Sequence, residues 1–162
     1  RCGVEVTEKK VRSEDKYFSN TVEDIGVAAF KGSKLNKFKF TNSENALRRM
    51  GSEAFAKTQI EEVDLSGSKL TEINADVFRD CEKLTTVKLN DNIKHILKSA
   101  FEGCKELNIF EYDFNKLETI YEYAFKGCAK FDKTFELFTS TLHGNATKEN
   151  VFEGSNAHVT WK

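Results

Sequence analysis

The sequence predicts a repeat solenoid, in which short parallel strands and tight turns stack from one coil to the next. A phenylalanine recurs at intervals of 23 to 27 residues, and intervals of this size are typical of stacked coils. Three of the six copies share a second feature, a cysteine three positions after the phenylalanine. The third observation is a pair of alternating apolar residues further along each repeat. The recurring residues are Phe30, Phe55, Phe78, Phe101, Phe125 and Phe152.

The bulk composition is that of one self-sufficient domain. The chain has 162 residues, 39% apolar content and 14 phenylalanines, which is enough for a core without cofactor or disulfide support. Twenty-five Lys and Arg residues are interspersed with 26 Asp and Glu residues, so no global field favours nucleic acid or an anionic membrane. No apolar run is long enough to span a membrane. The start at Arg1 rather than Met suggests a processed or excised fragment, so a missing signal peptide says nothing about the compartment.

We divide the chain into three segments of a single domain. Residues 1–21 are polar and out of register with the repeats, and we interpret them as an N-terminal cap or lead-in. Residues 22–137 form the solenoid, with about five coils. Residues 138–162 are a degenerate last repeat or C-terminal cap, in which Val159 and Trp161 are expected to point inward.

One short strand per coil is predicted from apolar residues that alternate with polar ones. The alternating pairs are Phe38 and Phe40, Val63 and Leu65, Val87 and Leu89, and Phe110 and Tyr112. Polar turns follow each pair, and a second short extended piece is expected before the next phenylalanine, as at residues 117–120. Around the phenylalanine we expect a compact turn or a 3₁₀ segment, and long helices are not expected. A fifth strand at residues 134–138 requires one inserted residue, with Phe135 and Leu137 facing inward.

The cysteines of three successive repeats, Cys81, Cys104 and Cys128, are predicted to form a ladder of small buried thiols. Stacked parallel side chains seldom give good disulfide geometry, and three cysteines cannot all pair. A metal site is disfavoured, because neither a Cys-x-x-Cys motif nor a paired His spacing is present. Cys2 lies outside the ladder and is either free or paired elsewhere.

The repeat Ile-x-x-x-Ala-Phe-x-Gly-Cys-x-x-Leu-x-x-Val-x-Leu resembles the BspA-like, or treponemal-type, class of leucine-rich repeats. The best matches are residues 96–112 and 120–131, and the resemblance covers about residues 22–137. Two departures are the absence of proline, which that family usually places in a turn, and the incomplete Gly-Cys pair in the first two coils. The resemblance implies a leucine-rich-repeat solenoid.

The resemblance also implies a function. Proteins of this family are typically displayed on the surfaces of bacteria and protists, where adhesion and host-protein binding are the usual proposals. The chain is therefore expected to be a non-enzymatic module, extracellular or at the cell surface, that binds a protein, such as a host extracellular protein, or a glycan. It carries no catalytic residues to transfer, and we expect no cofactor and no metal. A structural spacer or self-associating part of a longer array is the alternative.

Candidate partner contacts follow from the predicted strand register, in which the outward residues form columns on the concave face. One column contains Lys39, Asp64, Lys88 and Glu111, whose charges alternate and should attract each other across the sheet. A second column contains Lys37, Glu62, Thr86 and Ile109. Ile109 is the apolar exception in that column and our first candidate for a partner contact. Tyr121 and Tyr123 provide a further aromatic surface.

An enzymatic function finds little support in the sequence. The three histidines, His95, His143 and His158, fall in different coils or tails, with no spacing that supports a Ser-His-Asp arrangement. No glycine-rich phosphate loop follows a strand. The tripeptide Asn145-Ala146-Thr147 is a formal glycosylation acceptor, which matters only if the source secretes through a glycosylating pathway.

Overall fold

The computed structural model describes residues 4–6, 18–40 and 42–162, and it is a solenoid of short parallel strands. No α-helix occurs in this described part of the chain. The strands are β1 (Val4–Val6), β2 (Val22–Ile25), β3 (Arg49–Met50), β4 (Glu62–Asp64), β5 (Glu72–Ile73), β6 (Thr86–Lys88), β7 (His95–Ile96), β8 (Ile109–Glu111), β9 (Thr119–Ile120), β10 (Thr134–Leu137) and β11 (His158–Trp161). The predicted fold class is confirmed.

Each central coil contributes two strands, which form two ladders. The front ladder contains the strands that follow each phenylalanine motif, paired in the order β4-β6-β8 and, separately, β10-β11. The back ladder contains the strands that precede it, paired as β1-β2-β3 and β5-β7-β9. The second extended piece that the sequence suggested is therefore a ladder of its own.

The phenylalanine turn is tight because it has left-handed backbone on both sides of the ring. At five of the six phenylalanines the residues two before and two after have positive φ, as at Ser99 (53°) and Gly103 (76°) around Phe101. The 3₁₀ helices of the described chain lie elsewhere, at Phe114–Lys116 and Thr139–Thr141. The turn alternative of the prediction is therefore the right one at this position.

The backbone of these turns forms a third ladder. In each central coil the N–H groups of the phenylalanine and of the residues two positions away donate to carbonyls of the following coil. Phe101 N donates to Ala124 O at 2.8 Å, and Gly103 N donates to Lys126 O at 2.8 Å. Where both strand ladders are continuous, adjacent coils are thereby joined by hydrogen bonds on three edges, which satisfies the polar backbone around a buried interior.

The repeated phenylalanines stack in one continuous column through the core. Neighbouring ring centroids from Phe30 to Phe152 lie 5.2 to 5.6 Å apart, with interplanar angles of 10° to 16°. Phe55, Phe78, Phe101 and Phe125 are completely buried. Each ring is therefore packed against the rings of the coils on both sides, and the column couples neighbouring coils.

The cysteine ladder consists of free, buried thiols, as predicted. Each Sγ–H donates to the phenylalanine carbonyl of the preceding coil; Cys104 Sγ lies 3.1 Å from Phe78 O. Burial raises the pKa of all three thiols, to about 12 for Cys128. In the second coil Thr58 takes the same place, with its hydroxyl 3.4 Å from Cys81 Sγ. Cys2 lies outside the described residues.

Ion pairs between adjacent coils add a surface network to this core. Such exposed pairs stabilise only weakly one by one, but they favour a single alignment of the coils. They include Arg49–Asp24, Arg48–Glu23, Lys105–Glu82, Lys116–Asp91, Lys94–Glu118, Lys98–Glu122 and Lys126–Glu153. The solenoid register is thus specified by packing inside and by charge outside.

The proposed N-terminal cap lies partly outside the described residues, and the boundaries of both caps stay predictions. Within 1–21, Val4–Val6 pairs with β2 and Phe18 bridges to Phe40, so both ladders extend into this segment. At the other end Val159 and Trp161 pack against the core but are only half-buried. No helix in the described ranges is long and apolar enough to cross a membrane.

Candidate functional site

The front face, defined as the outward side chains of the front ladder, has the register that the sequence predicted. Glu62, Thr86 and Ile109 are aligned across β4, β6 and β8, and so are Asp64, Lys88 and Glu111. An isolated bridge between Phe38 and Val63 places Lys37 and Lys39 at the ends of the same two columns. The structure therefore brings together eight of the ten predicted contact residues.

The charged column is only partly joined by ion pairs. Lys88 Nζ lies 3.1 Å from Glu111 Oε1, and this contact raises the pKa of the Lys88 ammonium. Asp64 instead accepts hydrogen bonds from the N–H and hydroxyl of Ser66, at 3.0 and 2.6 Å. Among these described residues, Lys39–Asp64 and Asp64–Lys88 form no ion-pair contact. Of the three neighbouring pairs in the column, Lys88–Glu111 is therefore the one in which the expected attraction brings the charged groups into contact.

Two large apolar side chains are exposed on this face. Ile109 is 49% exposed, as its place in the outward column suggested. Phe138 is 57% exposed and was missed. The signal for it was available, because an inward Phe135 and Leu137 leave Phe138 outward by simple alternation.

The front ladder is interrupted between β8 and β10, and within the described chain no backbone hydrogen bond joins these strands. Two residues separate Phe131 from β10, one more than separate Leu107 from β8, so the inserted residue that the sequence required is present. The side chain of Lys133 replaces part of the missing backbone pairing, because its Nζ donates to Phe110 O at 2.7 Å. Beneath it Phe114 and Phe135 stack with centroids 4.0 Å apart.

The two predicted tyrosines are not part of the front face. Tyr121 follows β9 of the back ladder, and its ring centroid lies 6.1 Å from that of His143. Tyr123 has a positive φ of 62° and lies beneath Lys126, whose Nζ is 4.8 Å from the ring centroid. Their rings do not contact each other in the described structure, so they give no joint aromatic patch.

Between the tyrosines, the carboxylate of Glu122 holds the turn at Gly144 and Asn145. Its Oε2 accepts from Asn145 N at 3.2 Å, and Oε1 lies 3.4 Å from Lys98 Nζ. Burial raises the pKa of Glu122, but hydrogen bonds from the N–H groups of Glu122 and Asn145, together with Lys98, outweigh burial and lower the pKa. The carboxylate is therefore bound in its ionised form.

A pH dependence follows from this lowered pKa. The stabilisation by Glu122 should be fully present above its ordinary pKa and should be lost as the pH falls through the lowered folded value. In urea titrations at pH 7, Glu122→Gln should lower the unfolding midpoint relative to the parent chain. At pH 3 the difference should be smaller, because protonation of this carboxyl in the unfolded chain then opposes the stabilisation by the ionised form. An equal difference at both pH values would contradict this assignment.

Two of the depressions along the described coils lie beside the front ladder or the turns that follow it. A polar groove of about 750 Å³ runs past Asn45, Ser68 and Asn90. Its side chains serve the fold, since Asn90 Nδ2 donates to Ser68 O, Ser68 Oγ and Leu70 O at 2.9 to 3.1 Å. A smaller one of about 210 Å³ separates Lys37 and Lys39 from the acidic residues Glu61, Glu62 and Asp64.

Within the described residues, neither of these depressions is lined by a histidine or a cysteine. Among the described residues, no group of three or more His, Cys, Asp and Glu side chains could hold a metal ion. His95 is bound to Thr119, with its Nδ1 2.8 Å from the hydroxyl, within the back ladder. The front face thus offers aligned charges and exposed apolar groups, which are suited to contact with another macromolecule.

Comparison with known proteins defines the class. The model of the BspA type leucine rich repeat region matches residues 9–133 in six copies. The chain belongs to this family, and its repeats begin before Val22, where the sequence resemblance was placed. No curated protein matches the chain.

A crystal structure of a leucine-rich repeat protein from Eubacterium ventriosum has a similar fold. It superposes with a TM-score of 0.60 at 22% identity, over 87% of this chain and 43% of that chain. This chain therefore spans less than half the length of that protein. The family supports a repeat protein-interaction module in general terms, and it is typically non-enzymatic.

Proposed function

We propose that this chain is a recognition or adhesion module, displayed at the cell surface, that binds a partner protein through the front face. The observation that carries the proposal is Ile109, which is 49% exposed on a face whose register is fixed through the pairing of β8 with β6. Exposed apolar side chains surrounded by polar groups are typical of protein contact sites. Surface display is supported by the family resemblance, and an external host protein is the partner class it suggests.

The test is a comparison of two fourfold alanine variants as bait in matched extracts of extracellular proteins. One variant replaces Lys37, Glu62, Lys88 and Ile109 on the front face. The control replaces exposed residues elsewhere, namely Val27, Lys69, Glu72 and Glu118. The partner retained by the parent chain should be lost with the front variant only, because the folding core is untouched in both. Equal retention by both variants would overturn the front face as the binding site, and a parallel glycan array distinguishes a glycan partner.

A structural spacer is the second candidate, and the continuous phenylalanine column favours it. Stacked rings and ion pairs between coils make each coil rigid relative to the next, which suits an element that holds other parts at a distance. Sedimentation across a wide concentration range tests the self-associating form of this function. Association that persists in the front-face variant would favour the spacer.

A further inference from the structure

The interruption between β8 and β10 leaves one edge of each strand without a neighbouring strand in the described chain, and β10 also lies against the turn at Phe114–Lys116. Hydrogen bonds from Ile109 N to Thr85 O and from Leu89 N to Glu111 O direct the peptide groups of Ile109 and Glu111 toward β6. Because peptide groups alternate along a strand, those of Phe110 and Tyr112 point toward β10. Both residues are more than nine-tenths buried.

The same reasoning applies to β10. His158 N donates to Lys133 O and Lys162 N donates to Leu137 O, so the odd-numbered residues of β10 pair with β11. The peptide groups of Thr134 and Glu136 consequently point toward β8. In the described chain the hydrogen bond across this junction comes from a side chain, Lys133 Nζ to Phe110 O.

Unpaired strand edges are templates for another strand, and buried backbone groups without partners are rare in folded proteins. In the middle of the front ladder the backbone groups do have partners, since β6 is paired along both of its edges. The exposed apolar residues of the face stand at the two limits of the interruption, with Ile109 opening β8 and Phe138 following β10. Backbone edges and apolar contacts therefore coincide at one place.

We infer that the junction between β8 and β10 is a binding slot for an extended segment of the partner protein. The segment adds as a β-strand between β8 and β10, with its backbone bonded to Phe110 and Tyr112 on one side and to Thr134 and Glu136 on the other. Its apolar side chains contact Ile109 and Phe138, and the Lys133 ammonium gives up its bond to Phe110 O. This inference rests on the proposed function, since it names the conformation of the partner and its position on the front face.

The experiment uses a synthetic peptide that copies residues 83–91, because the strand in that segment already pairs on both sides in this solenoid. NMR-detected amide exchange of the full chain should show slower exchange at Tyr112 and Glu136 when the peptide is added. A peptide in which proline replaces the residue equivalent to Val87 should give no protection, since proline lacks the N–H group.

Two variants at one position separate backbone pairing from side-chain contact. Glu136→Pro removes an N–H group that makes no bond to β11, and it should weaken peptide binding about tenfold or more, the value of one or two lost hydrogen bonds. Glu136→Ala also loses the ion pair to Lys162 but keeps the N–H group, and its affinity should match that of the parent chain. Matching circular dichroism spectra confirm that both variants are folded.

Three results would each contradict the proposed slot. They are equal peptide affinity of the two variants, protection confined to Val159 and Trp161 at the outer edge of β11, and no peptide binding at all. The peptide assay needs no natural partner, so its failure is distinguishable from failure of the front face as a whole. In the latter case the fourfold front-face variant would retain the partner that the parent chain captures.

Discussion

Phe101→Ala is expected to lower the free energy of unfolding by about 3 to 5 kcal/mol, the range for removing a buried aromatic side chain. Phe101 is completely buried, and its ring stacks on those of Phe78 and Phe125 at 5.5 and 5.2 Å. Its edge also meets Phe110 of the front ladder at 5.3 Å. The cavity would thus lie at the centre of the column, where rigid coils on both sides limit collapse.

Chemical denaturation followed by circular dichroism measures the effect, with Phe138→Ala as the matched control. Phe138 is 57% exposed, so its removal should change the free energy of unfolding by no more than about 0.5 kcal/mol. Similar losses for both variants would show that the repeat alignment does not identify the core phenylalanines.

Gly67→Ala is the second substitution with a large expected effect, a loss of about 3 kcal/mol or more from overpacking against main chain. A methyl group at Gly67 would stand 1.4 Å from Ser43 O of the preceding coil. Neither backbone can move without disturbing the hydrogen bond from Asn45 N to Gly67 O at 3.1 Å. The midpoint of thermal unfolding gives the measurement.

Gly32→Ala is the control for this prediction, because it separates crowding from backbone strain. Gly32 has a φ of 70°, but a methyl group there would meet nothing within 4 Å. Alanine at this position should cost about 1 to 2 kcal/mol, the strain of a left-handed residue alone. If Gly67→Ala were the milder of the two, close approach of the coils at Gly67 would be disproved.

Much of the architecture could be predicted because the same residue pattern occurs in several copies, and each copy supports the alignment of the others. The phenylalanine interval identified the core column, and alternation of apolar residues identified β4, β6 and β8 with their register. The inserted residue before β10 was also visible in the sequence. Small recurring residues in the turn predicted its compactness, although not the left-handed backbone at Ser99, which the residue type does not demand.

The features that could not be predicted from the sequence depend on contacts between coils, and no single repeat contains those contacts. The back ladder has strands of two residues in its central coils, too short for a clear alternation signal. The preference of Asp64 for Ser66 over Lys88 is a local competition that column alignment does not show. The proposed slot required knowing that β8 and β10 are not paired, which follows from the position of Lys133 and Phe114 in space.

The three ladders of hydrogen bonds run from coil to coil along the solenoid, and they determine how the protein responds to a pulling force. A pull on the two ends loads the coil junctions in series, so the weakest junction bears the same force as the strongest. The junction between β8 and β10 keeps its turn ladder, as in Gly103 N to Lys126 O, but has no front ladder. Under tension this junction should yield before the fully paired ones between β4, β6 and β8, and a partner strand bound at that place would act as a reinforcement.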